Sequence, residues 1–398
     1  MRTSLFIGSL LIVVGTAIGA GILALPMVSA KIGFSDTILI LVAVWALLLL
    51  SAFLLLEVNL AFPVRHNSFS SMTYNTLGKP GQIVAWISCL LLLYALTSAY
   101  IAGNTSLLTQ VFASYTRWQV PAWCSALGFT VIFGGAVFWS TRAVDLFNRG
   151  LISLKGVMLL IMLGMLLPHI NVAQLVSAPG QQKYIWAVVP IFVTAFGYHT
   201  TLPSLSNYLK GDVKTLKRII MWGSAIPLVL YTIWLACALG IVPLTGGESF
   251  ATLAAKDGSV GEFIHLLTSI VNNKWVSFGV NGFSNIAMTT SFLGVTLGLF
   301  DFLADGFKRK NTRFGRFQTA LLTFIPPLIF ALYYPQGFIA ALGYAGISFT
   351  VLAIILPPLM VYRLRHSTNL TSPYRVPGGN AILALVLLAG IAIIALQL

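Results

Sequence analysis

The feature that most constrains this chain is the length of its segments without charged side chains. Ten stretches contain no Asp, Glu, Lys or Arg, and nearly all reach the roughly 20 residues that a helix needs to cross a bilayer. They are residues 3–30, 37–56, 80–116, 118–141, 156–182, 184–209, 219–247, 275–300, 317–362 and 376–398. The stretch 317–362 contains the turn signal Tyr334-Pro335-Gln336-Gly337 and therefore holds two helices, which gives eleven predicted spans.

The composition agrees with a membrane protein. Only 8% of the 398 residues are charged, against about 25% in a typical soluble domain, and the mean hydropathy is +0.92. These values exclude a disordered chain and almost any cytosolic enzyme. The three cysteines, Cys89, Cys124 and Cys237, are widely spaced in apolar stretches and predict neither a disulfide framework nor a metal site. We therefore expect an all-α integral membrane protein without metal, cofactor or catalytic residues.

The basic residues predict the orientation of the spans. If the N-terminus is cytoplasmic and the spans alternate, 18 of the 23 basic residues face the cytoplasm. The other five are Lys31, Arg117, Lys183, Lys256 and Lys274. This bias is typical of multi-pass membrane proteins, and it places the C-terminus on the outer side. It also accounts for the net charge of +14 without nucleic acid as a partner.

Glycines interrupt the first span near its middle. The segment from Gly15 to Gly21 contains three glycines in seven residues and is followed by Pro26. Glycine weakens a helix by about 1 kcal/mol relative to alanine, and a break within lipid needs a cavity or a ligand to satisfy the backbone. Such breaks form substrate sites, because the N-terminus of a half-helix attracts an anionic group. Two alternatives are a GxxxG helix-packing pair and a dinucleotide fingerprint at residues 19–24, although the latter lacks its preceding strand.

The sixth span contains a second interruption, five spans after the first. Pro190 precedes a polar cluster from Thr194 to Pro203, which includes Gly197 and His199. Because five is an odd number, the second half of the chain would be inverted relative to the first. Interrupted helices at matching places in two inverted halves indicate a transporter site. His199 is either a functional ionisable residue or a neutral histidine bonded to a backbone carbonyl.

Two other spans place polar groups near these interruptions. In span 8, Asn285 and Thr289 belong to a polar stripe that repeats every four residues. The stripe either bonds to a neighbouring helix or lines a pathway together with Thr290 and Ser291. Lys155 lies about two turns inside span 5. It either extends to the cytoplasmic surface or is a buried amine that can exchange a proton.

Several motifs are similar to those of one membrane protein family. They are GTAIGAGILALP at residues 15–26, LLLEV at 54–58, VDLFNR at 144–149, SAIPLV at 224–229, TSFLGV at 290–295, LFDFLAD at 299–305 and ALGYAG at 341–346. These motifs resemble the aromatic and hydroxy amino acid permeases of the amino acid–polyamine–organocation superfamily. The resemblance covers essentially the whole chain and is strongest to the tyrosine-specific bacterial permeases, with the tryptophan permeases next.

The resemblance implies a five-plus-five inverted repeat like that of the leucine transporter, with helices 1 and 6 broken and one extra C-terminal helix. A single transport domain over residues 1–398 would contain repeats at about 1–170 and 183–363 and the extra helix at about 376–398. The resemblance also implies proton-driven uptake across a bacterial inner membrane, which makes the outer side periplasmic. It favours Lys155 near the sodium-equivalent position of the superfamily, facing Thr290 and Ser291.

We therefore predict a proton–aromatic amino acid symporter, with tyrosine as the first candidate substrate, that acts as a monomer surrounded by lipid. The predicted substrate-binding residues are Gly15, Thr16, Ala17, Gly19, Ala20, Gly21, Thr97, Ile101, Phe196, Gly197, Tyr198, His199, Asn285, Thr289 and Tyr344. The predicted proton-coupling residues are Lys155, Thr290 and Ser291. The alternatives are a permease for tryptophan or several aromatic amino acids, an uncoupled facilitator or exchanger, and a sensor that binds without transport.

Overall fold

The computed structural model describes residues 2–63, 68–116, 120–176, 184–309, 312–367 and 370–397, and every regular element in these ranges is a helix. Four of the basic residues in the charge count, Arg65, Arg117, Lys183 and Lys310, lie outside the described residues. The predicted repeat limit at residue 183 and the helix limit at residue 398 lie outside them as well.

The long helices of the described chain form eleven consecutive segments, which we number as spans in chain order. They are span 1 (Arg2–Ala17 and Ala20–Ser29), span 2 (Phe34–Leu60), span 3 (Phe69–Thr116, with a kink at Gly78), span 4 (Ala122–Trp139), span 5 (Thr141–Leu166), span 6 (Ile185–Ala195 and Leu202–Tyr208), span 7 (Val213–Ile241), span 8 (Lys274–Gly306), span 9 (Arg313–Tyr333), span 10 (Phe338–Thr350, Val351–Ile355 and Leu356–Ser367) and span 11 (Gly379–Ala395).

Most of these spans are long and apolar enough to cross a membrane. Nine of the described helices meet that condition, and the two halves of span 1, which bend by 46° at their break, form a tenth. Span 11 is an apolar helix of 17 residues. The all-α membrane class is therefore confirmed, and the order of helices fits the eleven predicted spans.

The interrupted helices lie in the middle of the bundle. The first half of span 1 packs against span 7, and the first half of span 6 packs against span 10. Span 8 packs against spans 3 and 5, which enclose the breaks from the other side. At Gly346 the backbone of span 10 approaches the Pro190 carbonyl of span 6 so closely that a side chain would collide with it. The two breaks are therefore surrounded by spans 2, 3, 5, 7, 8 and 10.

An amphipathic helix covers the end of the bundle opposite the N-terminus. The sequence places it at about residues 262–273, and the structure has it at Val260–Val271, between spans 7 and 8. It starts in a capping box formed by Ser259 and Glu262. The N–H of Gly261 donates to the Ser106 hydroxyl of span 3 at 3.1 Å, and a side chain at position 261 would collide with the Ser106 carbonyl.

Span 10 contains one turn of π-helix at Val351–Ile355. The Ser51 hydroxyl of span 2 donates to the Ala353 carbonyl in this turn. Span 11 packs closely on the same turn at Gly390. A Cβ at that position would lie 2.9 Å from Ile355 and 3.0 Å from Ile354. The irregular turn is thus held between spans 2 and 11.

A buried ion pair lies at the end of span 10. Arg365 donates two hydrogen bonds of 2.7 Å to the two carboxylate oxygens of Glu57 in span 2. The N–H of Val376 donates to the same carboxylate at 2.8 Å, and its carbonyl accepts from Arg365 at 3.0 Å. A bidentate pair of this kind fixes orientation as well as distance. It attaches the segment before span 11 to the bundle.

Candidate functional site

The helix of span 1 ends at Ala17 and restarts at Ala20. Between them, the N–H of Gly19 turns back to the Ala17 carbonyl at 2.8 Å, and Gly19 itself has extended backbone angles. A helix that stops leaves its last carbonyl groups and the first N–H groups of the next helix without helical partners. The break therefore exposes carbonyl oxygens on one side and N–H groups on the other, as the glycine motif predicts.

Lys155 of span 5 binds the carbonyl side of this break. Its ammonium donates to the Ile18 carbonyl at 2.6 Å and reaches the Gly15 carbonyl at 3.4 Å. The residue is only 4% exposed, so it does not extend to a membrane surface. Neither of the two ion pairs among the described residues involves it. The amine is therefore buried, and its charge faces the negative end of a half-helix.

Ser291 of span 8 binds the N–H side of the break. The N–H of Ala20 donates to the Ser291 hydroxyl at 2.9 Å. A side chain at Gly19 would meet the same hydroxyl, because a Cβ there would lie 3.3 Å from it. The neighbouring Thr290 donates instead to the Ala287 carbonyl of its own helix at 3.1 Å. Ser291, and not Thr290, therefore accepts from the Ala20 N–H, a donor that could otherwise bind an anion.

The break in span 6 runs from Phe196 to Thr201. The N–H of Gly197 donates to the Thr194 carbonyl at 3.2 Å, and a 3₁₀ turn at His199–Thr201 leads into the second half of the helix. The imidazole Nε2 of His199 lies 3.1 Å from the Leu48 carbonyl of span 2. The histidine therefore faces span 2, which corresponds to the backbone-bonded alternative considered from the sequence.

A cavity of about 710 Å³ adjoins both breaks. It is lined by Leu11, Ile12, Gly15, Thr16, Ala17, Gly19 and Gly21 of span 1, Cys89, Leu92, Leu93, Leu96 and Tyr100 of span 3, Asn148, Arg149, Ile152 and Lys155 of span 5, Thr194, Ala195, Gly197 and Thr200 of span 6, Thr290, Ser291, Gly294, Val295, Gly298 and Phe302 of span 8, and Phe349 of span 10. Most of the lining residues beyond the breaks lie in the half of each span nearer the N-terminal end of the bundle, while Leu96, Tyr100 and Phe349 lie near the level of the breaks. The cavity therefore extends from the breaks towards that end.

The structure brings half of the predicted residues together around this cavity. Gly15, Thr16, Ala17, Gly19, Gly21, Gly197, Lys155, Thr290 and Ser291 line it, and Ala20 is connected to it through Ser291. The lining residues carry few charges and many apolar groups, which suits a site for a small molecule with one polar end and one apolar end.

The other predicted residues lie away from the cavity lining. They are Thr97, Ile101, Phe196, Tyr198, His199, Asn285, Thr289 and Tyr344. The structure corrects the expected position of Tyr344, which is 62% exposed on the outside of span 10. Asn285 donates to the Asn281 carbonyl of its own helix at 2.9 Å. Thr97 likewise donates to the Leu93 carbonyl. Both side chains therefore bond to the backbone of their own helix and do not line the cavity.

The same correction applies to the large side chains at the second break. The ring of Phe196 lies edge-on against Tyr231 of span 7, with 5.3 Å between ring centroids. Tyr198 is buried beside His199, at 4.8 Å between centroids. Ile101 is fully buried within span 3. The position of these residues near a helix break therefore did not indicate whether their side chains point into the cavity.

Sequence reasoning missed two residues of span 7 that contact the breaks. The Tyr231 hydroxyl lies 2.6 Å from the Ala17 carbonyl and 2.8 Å from the Ala195 carbonyl. The Trp234 indole N–H donates to the Ile22 carbonyl at 2.9 Å. A usable signal existed, because a Tyr and a Trp one turn apart within an apolar span must find acceptors for their polar tips.

Comparison with known proteins gives a consistent assignment. Residues 1–397 match the tryptophan/tyrosine permease family. The chain is 40% identical to "Tyrosine-specific transport system 1" of Haemophilus influenzae, with 97% of this chain and 95% of that protein aligned. It is 38% identical to "Tyrosine-specific transport system 2" of the same organism, over 97% and 94% of the two chains. It is 36% identical to the "Tryptophan-specific transport protein" of Shigella flexneri, over 97% and 92%. These proteins are transporters and not enzymes, and this chain belongs to the tryptophan/tyrosine permease family.

Proposed function

We propose that this permease imports an aromatic amino acid, with L-tyrosine preferred, across the bacterial inner membrane together with protons. The observation that carries the proposal is the cavity at two adjoining helix breaks, where N–H groups, carbonyl groups and a buried amine converge. Relatives named tyrosine-specific are 40% and 38% identical and relatives named tryptophan-specific are 38% and 36% identical, so the identities rank tyrosine first by a narrow margin.

The two ends of span 1's break would bind the two charges of an amino acid. The carboxylate would accept from the N–H groups of Gly19, Ala20 and Gly21, at the positive end of the second half-helix, in exchange for the Ala17 carbonyl at Gly19 and the Ser291 hydroxyl at Ala20. The ammonium would donate to carbonyl groups left free by the breaks. Lys155 and Tyr231 already contact three of the four carbonyls between residues 15 and 18 but not that of Thr16. The Thr16 carbonyl is therefore the first candidate for the ammonium. The Phe196 carbonyl already accepts from the Tyr198 N–H at 2.8 Å and would use its second lone pair.

The aromatic ring would occupy the apolar part of the cavity. Leu92, Leu96 and Phe349 supply apolar surface from spans 3 and 10, and Ile152 and Val295 supply it from spans 5 and 8. Binding pockets of this size are mostly apolar, with a small number of polar groups that fix orientation. The ring contributes area, while the broken helix contributes the orientation of the α-amino acid group.

Proton coupling would act through Lys155. A protonated amine binds the carbonyl end of span 1 as a cation, and loss of the proton removes the charge from that contact. Because these carbonyls belong to the same break as the substrate-binding N–H groups, the charge state of Lys155 would change the geometry of the binding site. A carrier that alternates between two conformations could use this link to bind a proton and an amino acid together.

The distribution of basic residues favours a cytoplasmic N-terminus, and we adopt that orientation in the proposal. In that orientation the cavity extends towards the cytoplasm. This would be the conformation in which an importer has released its substrate and has not yet returned to the outward-facing conformation. The Trp234 and Tyr231 contacts lie on the other side of the breaks, where the helix Val260–Val271 covers the bundle. One chain contains all these groups, which supports a monomer as the transporting unit.

Uptake by proteoliposomes tests the proposal. Labelled tyrosine should accumulate when the vesicle interior is more alkaline than the medium, and a protonophore should abolish the accumulation. Unlabelled tyrosine should compete best, tryptophan and phenylalanine less well, and serine hardly at all. Equal uptake with and without the pH gradient would favour an uncoupled facilitator or exchanger, and stronger competition by tryptophan would favour the tryptophan alternative.

A native cysteine provides a test of the binding position. Cys89 lines the cavity, while Cys124 lies in span 4 away from it and Cys237 is buried. In a protein with Cys124→Ser and Cys237→Ser, tyrosine should slow alkylation of Cys89 by a maleimide, and serine should not. The matched protein that retains Cys124 instead should show no protection. Unchanged labelling of Cys89 at saturating tyrosine would contradict the proposed position of the substrate.

A further inference from the structure

We infer that the Tyr231 hydroxyl is a positioning group that joins the two helix breaks, so that one substrate meets both at a fixed separation. The inference rests on the proposed function, because it assigns a role to a residue beside the proposed binding site. Tyr231 does not line the cavity and would not touch the substrate. It would act through the backbone that does.

The geometry of the hydroxyl carries this inference. Its oxygen lies 2.6 Å from the Ala17 carbonyl, which ends the first half of span 1. It lies 2.8 Å from the Ala195 carbonyl, which ends the first half of span 6. A tyrosine hydroxyl has one proton to donate, so the two carbonyls share it. The last helical carbonyl before each break is therefore bound to the same atom.

No other hydrogen-bonding side chain among the described residues has this double contact. Lys155 binds carbonyls of span 1, and Trp234 binds the Ile22 carbonyl on the far side of the same break. His199 belongs to span 6 and binds span 2. Without the Tyr231 hydroxyl, the contact between the breaks would depend on backbone packing, such as the approach of Gly21 to Ala195.

The surroundings make the contact rigid. Tyr231 is fully buried, and its ring packs edge-on against Phe196, the first residue of the second break. Trp234 lies one turn further along span 7 and is also fully buried. Span 7 therefore presents two fixed donors to the breaks, and buried donors of this kind rarely change partners because unpaired carbonyls are unfavourable.

A zwitterion needs such a fixed relation. Its carboxylate and ammonium are covalently held about 3 Å apart, and a site performs well only when its groups hold productive positions within about 0.5 Å. If the breaks moved independently, only a fraction of molecules would present both ends correctly. The apparent affinity falls in proportion to that fraction.

Tyr231→Phe removes the hydroxyl and keeps the ring. Tyr94→Phe is the matched control, because the Tyr94 hydroxyl also donates to a carbonyl of another span, Leu322 of span 9, at 2.8 Å. In purified protein in lipid nanodiscs, we expect the dissociation constant for tyrosine to rise about tenfold in Tyr231→Phe and to stay within about twofold of wild type in Tyr94→Phe.

Hydrogen–deuterium exchange separates positioning from general stability. In Tyr231→Phe, backbone exchange should increase both in residues 15–24 and in residues 194–203, whereas Tyr94→Phe should leave both segments unchanged. Trp234→Phe is a second variant that should raise exchange in residues 15–24 alone, since its N–H contacts only span 1.

The outcomes are distinguishable. Increased exchange in both segments together with weaker binding supports the inference. An increase in only one segment, or a tyrosine affinity like that of Tyr94→Phe, overturns it. Equal increases in both segments for Trp234→Phe would also overturn it, because the packing of span 7 would then be the cause. A wild-type protein that does not bind tyrosine would contradict the proposed function instead.

Discussion

The two helix breaks are built in opposite ways. In span 1 the break, Ile18 and Gly19, has no polar side chain, and the polar groups that bind the backbone around it come from spans 5, 7 and 8. In span 6 the break contains its own polar side chains, yet His199 faces span 2 and Thr201 donates to the Tyr198 carbonyl within the break itself. Span 1 bends by 46° at its break. Both halves of span 6 belong to one segment, Ile185–Tyr208, that is long and apolar enough to cross a membrane. This difference favours the backbone of span 1 as the proposed binding site for the amino acid, with the break of span 6 in a supporting role.

The largest expected effect comes from filling the break in span 1. Gly19 has backbone angles open to any residue, so a substitution acts through space, and even a Cβ would lie 3.3 Å from the Ser291 hydroxyl. Gly19→Leu should reduce tyrosine uptake at least about 100-fold, because displacing the N–H groups by about 1 Å destroys their alignment. Gly135→Leu is the control, since space is open at that glycine of span 4. Comparable uptake by the two variants, at equal amounts in the membrane, would remove span 1 from the binding site.

The next effect concerns the amine at the same break. Lys155→Ala should lose accumulation driven by a pH gradient but retain exchange of labelled for unlabelled tyrosine, because the cavity persists while the charge at Ile18 is gone. Counterflow and gradient-driven uptake in proteoliposomes measure the two activities separately. A variant that still concentrates tyrosine on a pH gradient would eliminate the coupling role of Lys155.

A smaller effect is expected at the second break. His199→Gln keeps a group that can bond to the Leu48 carbonyl, so uptake should fall about threefold or less, in the range of one modified hydrogen bond. Its dependence on the pH gradient should match that of wild type. His169→Gln is a control, because His169 is exposed and also lies beside a backbone carbonyl. Loss of gradient-driven accumulation in His199→Gln, but not in His169→Gln, would mean that the break of span 6 takes part in proton coupling.

The smallest effect should have the opposite sign. Ser291→Ala removes the hydroxyl that accepts from Ala20, so a carboxylate no longer has to displace it. Tyrosine should then bind about threefold more tightly, the magnitude of one weak neutral hydrogen bond. Thr296→Ala is the control, since that hydroxyl donates to its own helix at 2.7 Å and lies outside the cavity. Weaker binding by Ser291→Ala would instead mean that the hydroxyl contacts the substrate.

The sequence predicted the membrane fold and the first break well, for physical reasons. Uncharged stretches of about 20 residues have few alternatives to spanning helices, and glycines in the middle of such a stretch have few reasons to be there. For Lys155 the sequence left extension to the cytoplasmic surface and burial as alternatives, and the structure shows the buried amine. These inferences depend on composition and position along the chain, which the sequence gives directly.

The direction of individual side chains could not be predicted in the same way. Tyr344 lies between Gly343 and Gly346 and is a predicted substrate-binding residue. The structure instead places it on the face of span 10 that points away from the bundle. Asn285 and Thr97 were expected in the pathway, but each donates to a carbonyl one turn earlier in its own helix. A polar residue in a span must find a partner, and its own backbone is a partner that leaves no mark in the sequence.

The π turn of span 10 links the cavity to the outer surface of the bundle. Phe349 lines the cavity two residues before the turn begins, and span 11 packs on the turn through Gly390. A displacement of Phe349 by an incoming ring would therefore be transmitted to a helix that faces lipid. A fluorophore on an exposed position of span 11, such as Leu388, could consequently report occupancy in single molecules without any chemical change inside the permeation path.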